Sequence, residues 1–349
     1  MKQLAIVLCL PLVLLAGGAA IAGTPLGGLA VALSPAGDIL TAGGDNRTLY
    51  VLDAQKLEVT SRTWLGVCIC DLKFSADGGR LLVQDTDGAI HLVDTKTWKV
   101  EKTEPKADLM SVAHTADLLA GLNADYNGNI VRFLSRADLA EKGKVAFPKG
   151  ERVIALGLNA AGTRLAVLME AMADESEPKG AKPPAELKGL AAEEFKLKND
   201  GKTAKFAVFS VPDGAKVAEH KLFFSTSSSG WKVFFQGDDV LLVNYSNLNA
   251  KVGAKGEVSL FQLDNSFNYG IGASPDQKVL LTGGLSDGTY TTVEGLRKVT
   301  FKNDRMPTWP EYYKGFTVAA DGTAFGSTSG YRLIRIKADG SFDKSIPVF

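Results

Sequence analysis

Two cysteines separated by one residue, Cys68 and Cys70, are the residues of this sequence whose chemistry is easiest to name. If both lie on one strand, their thiols point to the same face of the sheet. Together with Met110 they would offer soft sulfur ligands to a thiophilic metal such as copper or zinc. Two alternatives stay open. The pair could form a strained disulfide, because the Cα atoms of an extended i, i+2 pair lie at or beyond the usual bridging distance, or remain plain buried thiols.

A second group of residues indicates binding. It consists of charged and aromatic side chains at the beginnings of apolar segments, together with the aromatic stretch "MPTWPEYY" at 306–313. Aromatic rings combined with a few charges are typical of contact surfaces. The candidate binding residues are Asp71, Met110, Trp231, Lys232, Tyr269, Trp309, Tyr312, Tyr313 and Lys314.

Local motifs that would indicate an enzyme are absent from the sequence. It contains no nucleophile elbow, phosphate loop, HExxH segment or c-type haem attachment site. Only His91 and His114 are candidates for a general base. The sequence therefore favours a binding protein over an enzyme and predicts no cofactor, although an active site assembled from several repeats stays open as an alternative.

The charge balance argues against nucleic acid as a partner. The 349 residues include 39 Lys and Arg against 39 Asp and Glu, and no segment is rich in Lys and Arg. Binding to phosphates needs a concentrated basic surface. At 45% hydrophobic and 22% charged residues, the composition is that of an ordinary globular protein.

Residues 1–22 have the form of a secretory signal peptide. Lys2 precedes an apolar run from Leu4 to Leu15, and small residues ending in Ala22 follow. The run of about 12 residues is shorter than the roughly 20 that a membrane span needs. We therefore expect cleavage after Ala22. The product would be a periplasmic or secreted protein with a protein partner in the periplasm, and not an integral membrane protein.

The rest of the chain repeats one pattern, and this repeat must position the candidate residues. An apolar segment followed by a small polar turn occurs seven times, as in "GLAVALSPAG" at 28–37 and "ICDLKFSADG" at 69–78. The intervals between copies are 38 to 45 residues, except for one of 77. A regular period of this length indicates a repeat architecture. The residues that open the turns are Ser34, Ser75, Thr115, Asn159, Gln236, Ser274 and Ala319.

The long interval contains a charged insertion at residues 170–204. Of its 35 residues, 14 are charged, and it shows no strand alternation. Without it the interval is 42 residues, which restores the period. We expect the insertion to be disordered, as either a solvated loop or a docking arm for a partner.

Each copy predicts four short antiparallel strands. The second segment is apolar, as in "RLLVQD", the third alternates and ends on Asp, as in "AIHLVD", and the fourth is more polar, as in "WKVEKT". One such sheet cannot bury both of its faces, whereas seven can do so by packing around an axis. We therefore predict an all-β, seven-bladed β-propeller of four-stranded antiparallel blades over residues 23–349. Its first strands would line the channel, and its seventh blade would pack on the first.

The repeat resembles those of the WD-repeat and YVTN β-propeller families. "ICDLKFSADG" approaches their pattern of spaced apolar residues before Ser-Pro-Asp-Gly, and "LYVLD" and "IHLVD" approach the third-strand pattern ending in Val-Trp-Asp. The Gly-His and Trp-Asp signatures are missing, so their hydrogen-bonded tetrad is not expected. The resemblance implies a scaffold for protein interaction or ligand binding, and residues 1–22 add the expectation of export. The resemblance also leaves a propeller subunit of a periplasmic enzyme, of quinoprotein dehydrogenase or lactonase type, as an alternative. The cysteines leave a further alternative function open, that of a metal-handling protein that uses Cys68 and Cys70.

Overall fold

The computed structural model describes most of the chain after the N-terminal segment. The described residues are 28–105, 108–113, 115–125, 128–170, 182–199, 203–222, 230–245, 249–262, 270–283, 287–292, 299–302 and 311–348. The predicted signal peptide lies outside these ranges, so its removal remains an expectation.

The described chain forms seven antiparallel sheets, each built from four strands that are consecutive in sequence. Blade one contains β1 Leu29–Leu33, β2 Ile39–Gly44, β3 Thr48–Asp53 and β4 Glu58–Trp64. Blade two contains β5 Ile69–Phe74, β6 Arg80–Asp85, β7 Ile90–Asp94 and β8 Val100–Glu104. Blade three contains β9 Asp108–Val112, β10 Leu119–Asp125, β11 Gly128–Leu134 and β12 Glu141–Phe147.

The remaining four blades follow the same plan, which confirms the predicted seven-bladed β-propeller. Blade four contains β13 Arg152–Leu158, β14 Arg164–Glu170, β15 Ala204–Ser210 and β16 Lys216–Leu222. Blade five contains β17 Lys232–Gln236, β18 Asp239–Val243, β19 Asn249–Val252 and β20 Val258–Phe261. Blade six contains β21 Gly270–Ala273, β22 Val279–Gly283, β23 Asp287–Thr292 and β24 Val299–Lys302. Blade seven contains β25 Tyr313–Val318, β26 Ala324–Thr328, β27 Arg332–Ile336 and β28 Phe342–Pro347.

The residue that opens the first turn of a blade also closes that turn with its side chain. The Ser75 hydroxyl accepts a hydrogen bond from the N–H of Arg80 at 2.8 Å, and Ser274 accepts one from Val279 at 2.9 Å. Ser34 and the Asn159 amide oxygen accept the N–H five residues further on in the same way. Such a side-chain oxygen satisfies a backbone donor that the turn leaves unpaired. The repeated residue in the sequence therefore fixes where β2, β6, β14 and β22 begin.

Aspartate at the end of the third strand has a similar role in the next turn. Asp53 Oδ1 accepts hydrogen bonds from the N–H groups of Gln55 and Lys56, both at 2.9 Å. Asp94 Oδ1 does the same for the N–H groups of Lys96 and Thr97 in blade two. These bonds stabilise the turn into β4 and β8, which explains why the third segments of the repeat close on Asp.

Apolar side chains fill the space between every pair of neighbouring blades. The interface between blades seven and one joins Leu29 and Val31 to Phe325 and Leu333. There the Ser327 hydroxyl also donates to the carbonyl oxygen of Leu29 at 2.5 Å. The ring is therefore closed by packing of the seventh blade on the first, and each blade buries its two faces against its neighbours.

The insertion contains a helix. The sequence predicts disorder over residues 170–204, whereas the structure places α1 at Leu190–Asn199, between β14 and β15. Leu190 packs against the apolar cluster between blades four and five, and Glu194 Oε1 accepts a hydrogen bond from Leu260 N–H at 3.4 Å. Within the described residues, α1 thus lies against the outer strand of blade five. Among those residues, no helix is long and apolar enough to cross a membrane.

Candidate functional site at the channel mouth

The first strands of all seven blades enclose a central channel. Its volume is about 1360 Å³, and its lining includes residues of β1, β5, β9, β13, β17, β21 and β25. Because the blades are equivalent around the ring, the beginnings of these inner strands lie at one end of the channel. We call this end the mouth. The connection from β14 to β15, which carries the insertion, opens at the same end, because Glu170 pairs with Arg152 at the beginning of β13.

Several inner strands have a β-bulge at the mouth. The pairing register shifts between Ile69 and Asp71 in β5, and again between Tyr313 and Gly315 in β25. β9 and β13 have corresponding shifts. Bulges at the rims of sheets redirect side chains. The pairing registers pass over Cys70 in β5, Ile154 in β13 and Lys314 in β25, so strict alternation of side chains does not hold at these three positions.

Charged side chains of blades two and five meet in the channel. Asp71 Oδ1 accepts hydrogen bonds from Lys73 Nζ at 2.9 Å and from the Leu72 N–H at 2.8 Å. Lys232, the first residue of β17, interacts electrostatically with both Asp71 and Lys73. Burial is the main cause that lowers the pKa of Lys232, Asp71 opposes this effect, and Lys73 adds to it. Blades two and five stand on opposite sides of the ring, so this interaction spans the channel.

Blade seven contributes another lysine to the same channel, and this one is buried. Lys314 is 6% exposed, and its Nζ lies 4.7 Å from the centre of the Tyr312 ring. Burial lowers the pKa of Lys314 to about 8, and the nearby Asp45 partly opposes that shift. The ring of Tyr312 supplies a cation–π contact at this position.

Glu311, which the sequence analysis does not single out, anchors the residues that carry Tyr312. Its carboxylate binds Arg332 through Nη2 at 2.6 Å and Nε at 3.0 Å, and also accepts a hydrogen bond from the Thr328 hydroxyl. The Ser329 N–H donates to the Tyr312 carbonyl oxygen, and the Tyr312 N–H donates to the Ser329 hydroxyl, which completes the anchor. Glu311 is the one acidic residue within "MPTWPEYY", and this could have indicated its role from the sequence. A carboxylate that is buried among aromatic residues needs a hydrogen-bonding or charged partner.

Two of the aromatic candidates belong to the core instead. Trp231 is 4% exposed in the cluster between blades four and five. Tyr313 is fully buried between blades six and seven, with its ring centre 4.9 Å from that of Phe316. The prediction that both contribute to an exposed ring surface is corrected. They lie at or next to the start of an inner strand, where alternate side chains face the neighbouring blade rather than the channel.

The structure describes some of the remaining candidate binding residues but not all of them. Asp71, Lys232 and Lys314 line the channel, and Tyr312 lies beside it. Met110 lies in β9, but its side chain is outside the described part of the structure. Tyr269 and Trp309 are residues that lie outside the described ranges.

The cysteines do not form the expected pair on one strand. Cys68 lies in the connection before β5, with Sγ 4.0 Å from the Asp45 carbonyl oxygen. Cys70 occupies the bulge, and its thiol donates to the carbonyl of Asp85 at 3.2 Å. Cys68 and Cys70 are not joined in a disulfide. Within the described ranges, no three His, Cys, Asp or Glu side chains form a group that could hold a metal ion. Metal handling by Cys68 and Cys70, with Met110 as the additional ligand, remains a prediction from the sequence.

The comparisons with known proteins support the fold. No protein-family model and no curated protein sequence matches this chain. Among solved structures, the hydrazine synthase of Kuenenia stuttgartiensis is similar, with a TM-score of 0.59 over 87% of this chain and 94% of that chain. The two sequences are 14% identical, so the similarity shows the propeller fold alone. The finer resemblance to WD or YVTN repeats remains a prediction.

Proposed function

We propose that this chain is an exported binding module that holds its ligand, or a side chain of its protein partner, at the channel mouth. One observation carries the proposal: Lys232 is held inside the channel, opposite the Asp71–Lys73 pair of a distant blade. Burying a charge is costly unless a partner compensates it. A cavity lined mainly by apolar strands, with a few converging polar groups of shifted pKa, is typical of a binding site.

The position of the insertion supports a role in assembly with a partner. The connection that carries it opens at the mouth, and α1 is attached to the outside of blade five rather than packed into the core. A partner bound at this end of the channel would therefore meet both the charged channel residues and the insertion. Export itself rests on residues 1–22, and the enzyme-subunit and metal-handling alternatives remain predictions from the sequence.

A ligand screen of the purified protein tests this proposal. We expect one or more small organic compounds, or short peptides, to raise the thermal unfolding temperature of the wild type in a dose-dependent manner. Because Lys232 and Lys314 both line the channel that would hold the ligand, the Lys232→Met, Lys314→Met double variant should lose this stabilisation. Lys96→Met, which alters an exposed lysine in a turn of blade two, is the matched control and should respond as the wild type does. Equal stabilisation of the double variant, or no stabilisation of the wild type by any compound class, would contradict a binding site at the mouth.

A further inference from the structure

The ionisable groups around Lys232 leave a positive charge in the channel. Lys232 and Lys73 each bring one positive charge when protonated, and Asp71 brings one negative charge. Asp71 Oδ1 is already occupied by Lys73 and the backbone N–H of Leu72. Among the described residues, no carboxylate lies within ion-pair distance of the Lys232 ammonium. The local sum with both lysines protonated is therefore one positive charge.

The cavity is also lined by the carboxylates of Asp85, Asp87, Asp276 and Asp321 and by the guanidinium of Arg136, whereas the groups that act electrostatically on Lys232 are Asp71, Lys73 and the Cys70 thiol. Tyr245 lines the same cavity, and burial raises the pKa of its phenol, so the phenol stays neutral and can act as a hydrogen-bond donor. Cys70, Asp85 and Lys314 also contribute to the lining. Asp85 is engaged by His91, whose Nε2 lies 2.7 Å from Asp85 Oδ2, and by backbone N–H groups of its own turn.

The surroundings of Lys232 disfavour its ammonium form relative to a lysine in bulk water. Desolvation favours the neutral amine, and this is the main cause that lowers the pKa of Lys232. An anion placed between blades two and five would compensate the charge and reverse the effect.

We propose that the ligand at the mouth carries a carboxylate, which binds as a monoanion between Lys232 of blade five and Lys73 of blade two. This inference rests on the proposed function and specifies its ligand class. A monoanion neutralises the single excess charge. A phosphate monoester, with a charge of about −1.5 to −2 at neutral pH, would exceed that charge and also face the Asp71 carboxylate. The channel, at about 1360 Å³, admits either a small organic acid or the acidic side chain of a partner.

Binding of the carboxylate is coupled to proton uptake. The ligand raises the pKa of Lys232, so the complex contains the ammonium where the free protein contains a larger share of the neutral amine. The proton comes from the buffer. Because the bound state holds more protons than the free state, affinity for the ionised carboxylate is greatest below the Lys232 pKa of the free protein and falls as the pH rises from that pKa to the higher pKa of the complex.

Calorimetric titration tests the ligand class and the proton uptake together. The wild type is titrated with acetate, with an N-acetylated, C-amidated glutamate peptide, and with inorganic phosphate, in two buffers of different ionisation enthalpy. We expect acetate or the peptide to bind with a buffer-dependent heat that corresponds to proton uptake, and to bind more tightly than phosphate. Binding of acetate indicates a free organic acid, whereas binding of the peptide alone indicates an acidic side chain of a partner.

Lys232→Met should weaken carboxylate binding by about tenfold or more, as expected for the loss of a charge-assisted hydrogen bond. Lys96→Met should bind as the wild type does. Equal binding by Lys232→Met, tighter binding of phosphate than of carboxylate, or a heat that does not depend on the buffer would overturn the inference. The thermal unfolding of Lys232→Met without ligand is a second readout. We expect it to be unchanged or higher, because an uncompensated charge has been removed, and a marked decrease would assign Lys232 a structural role.

Failure of this inference can be told apart from failure of the proposed function. If the ligand screen yields compounds whose effect depends on Lys232 and Lys314 but which carry no carboxylate, the binding site stands and the ligand class is wrong. If no compound has an effect that depends on these lysines, both the binding site and the ligand class are wrong.

Discussion

Replacing Gly157 or Gly272 with alanine is expected to destabilise the protein by about 2 kcal/mol or more. Both glycines lie where the inner strands of neighbouring blades approach each other most closely. A Cβ atom at Gly157 would lie 2.3 Å from the carbonyl oxygen of Val233, and one at Gly272 would lie 2.3 Å from that of Phe316. The clashing atoms belong to the backbone of the next blade, so they cannot move aside as the end of a side chain could. Accommodating the methyl group requires neighbouring blades to separate.

Gly315→Ala is the matched control for these two variants. Gly315 also lies on an inner strand, but a Cβ atom there would meet only the Ser327 hydroxyl oxygen, at an ordinary contact distance of 3.7 Å. Loss of glycine flexibility in the unfolded chain should make this variant neutral or slightly more stable. Urea unfolding of the three variants measures the difference. Similar free energies of unfolding for all three would mean that the inner strands are not packed as tightly as described.

Glu311→Ala is expected to lower the free energy of unfolding by about 3 kcal/mol. Glu311 is 4% exposed and holds Arg332 with two hydrogen-bonding nitrogens. Its removal leaves the guanidinium and the Thr328 hydroxyl without this carboxylate in a largely dry environment. It also releases the residues that position Tyr312 beside Lys314. The change is measured by urea unfolding, with the intrinsic fluorescence of the aromatic residues as the signal.

Glu141→Ala removes a comparable but more exposed partner of an arginine. The Glu141 side chain is 40% exposed, and its partner Arg132 keeps a second carboxylate, that of Glu104. Ion pairs of this kind contribute about 1 kcal/mol or less. We therefore expect Glu141→Ala to have a much smaller effect than Glu311→Ala. If the two variants lose the same stability, burial of the Glu311–Arg332 pair is not what stabilises blade seven.

The blades were predictable from the sequence because their signals are local. Ser75 closes its turn through an atom five residues away, and Asp94 binds the N–H groups two and three residues further on. Such contacts repeat with the sequence and set where strands begin and end. The number of blades follows from counting them, and the four strands of each blade come from consecutive segments.

The mouth was harder to predict because its contacts are not local. The alternation of side chains along a strand predicts which face of the sheet each one occupies. A single bulge in β5 or β25 reverses that prediction for the residues beyond it, and no residue type in these strands indicates that a bulge is present. Tyr313 begins β25, which has such a bulge, and Trp231 directly precedes β17; both were expected at the surface but lie in the core. The approach of Lys232 to Asp71 depends on ring closure, which brings together residues of blades two and five that are far apart in sequence.

The titration of the Lys232 side chain reports directly on whether the channel holds an uncompensated lysine that awaits an anionic ligand. It can be followed by NMR of the protein with isotope-labelled lysine side chains, in which the Lys232 signal is identified by its loss in Lys232→Met. If Lys232 lies in the channel as described, it titrates below the ordinary value of 10.5 in the free protein and shifts upward when acetate saturates the site. A titration at the ordinary value of 10.5 that acetate does not change would place the ammonium in bulk solvent and contradict a binding site at the mouth.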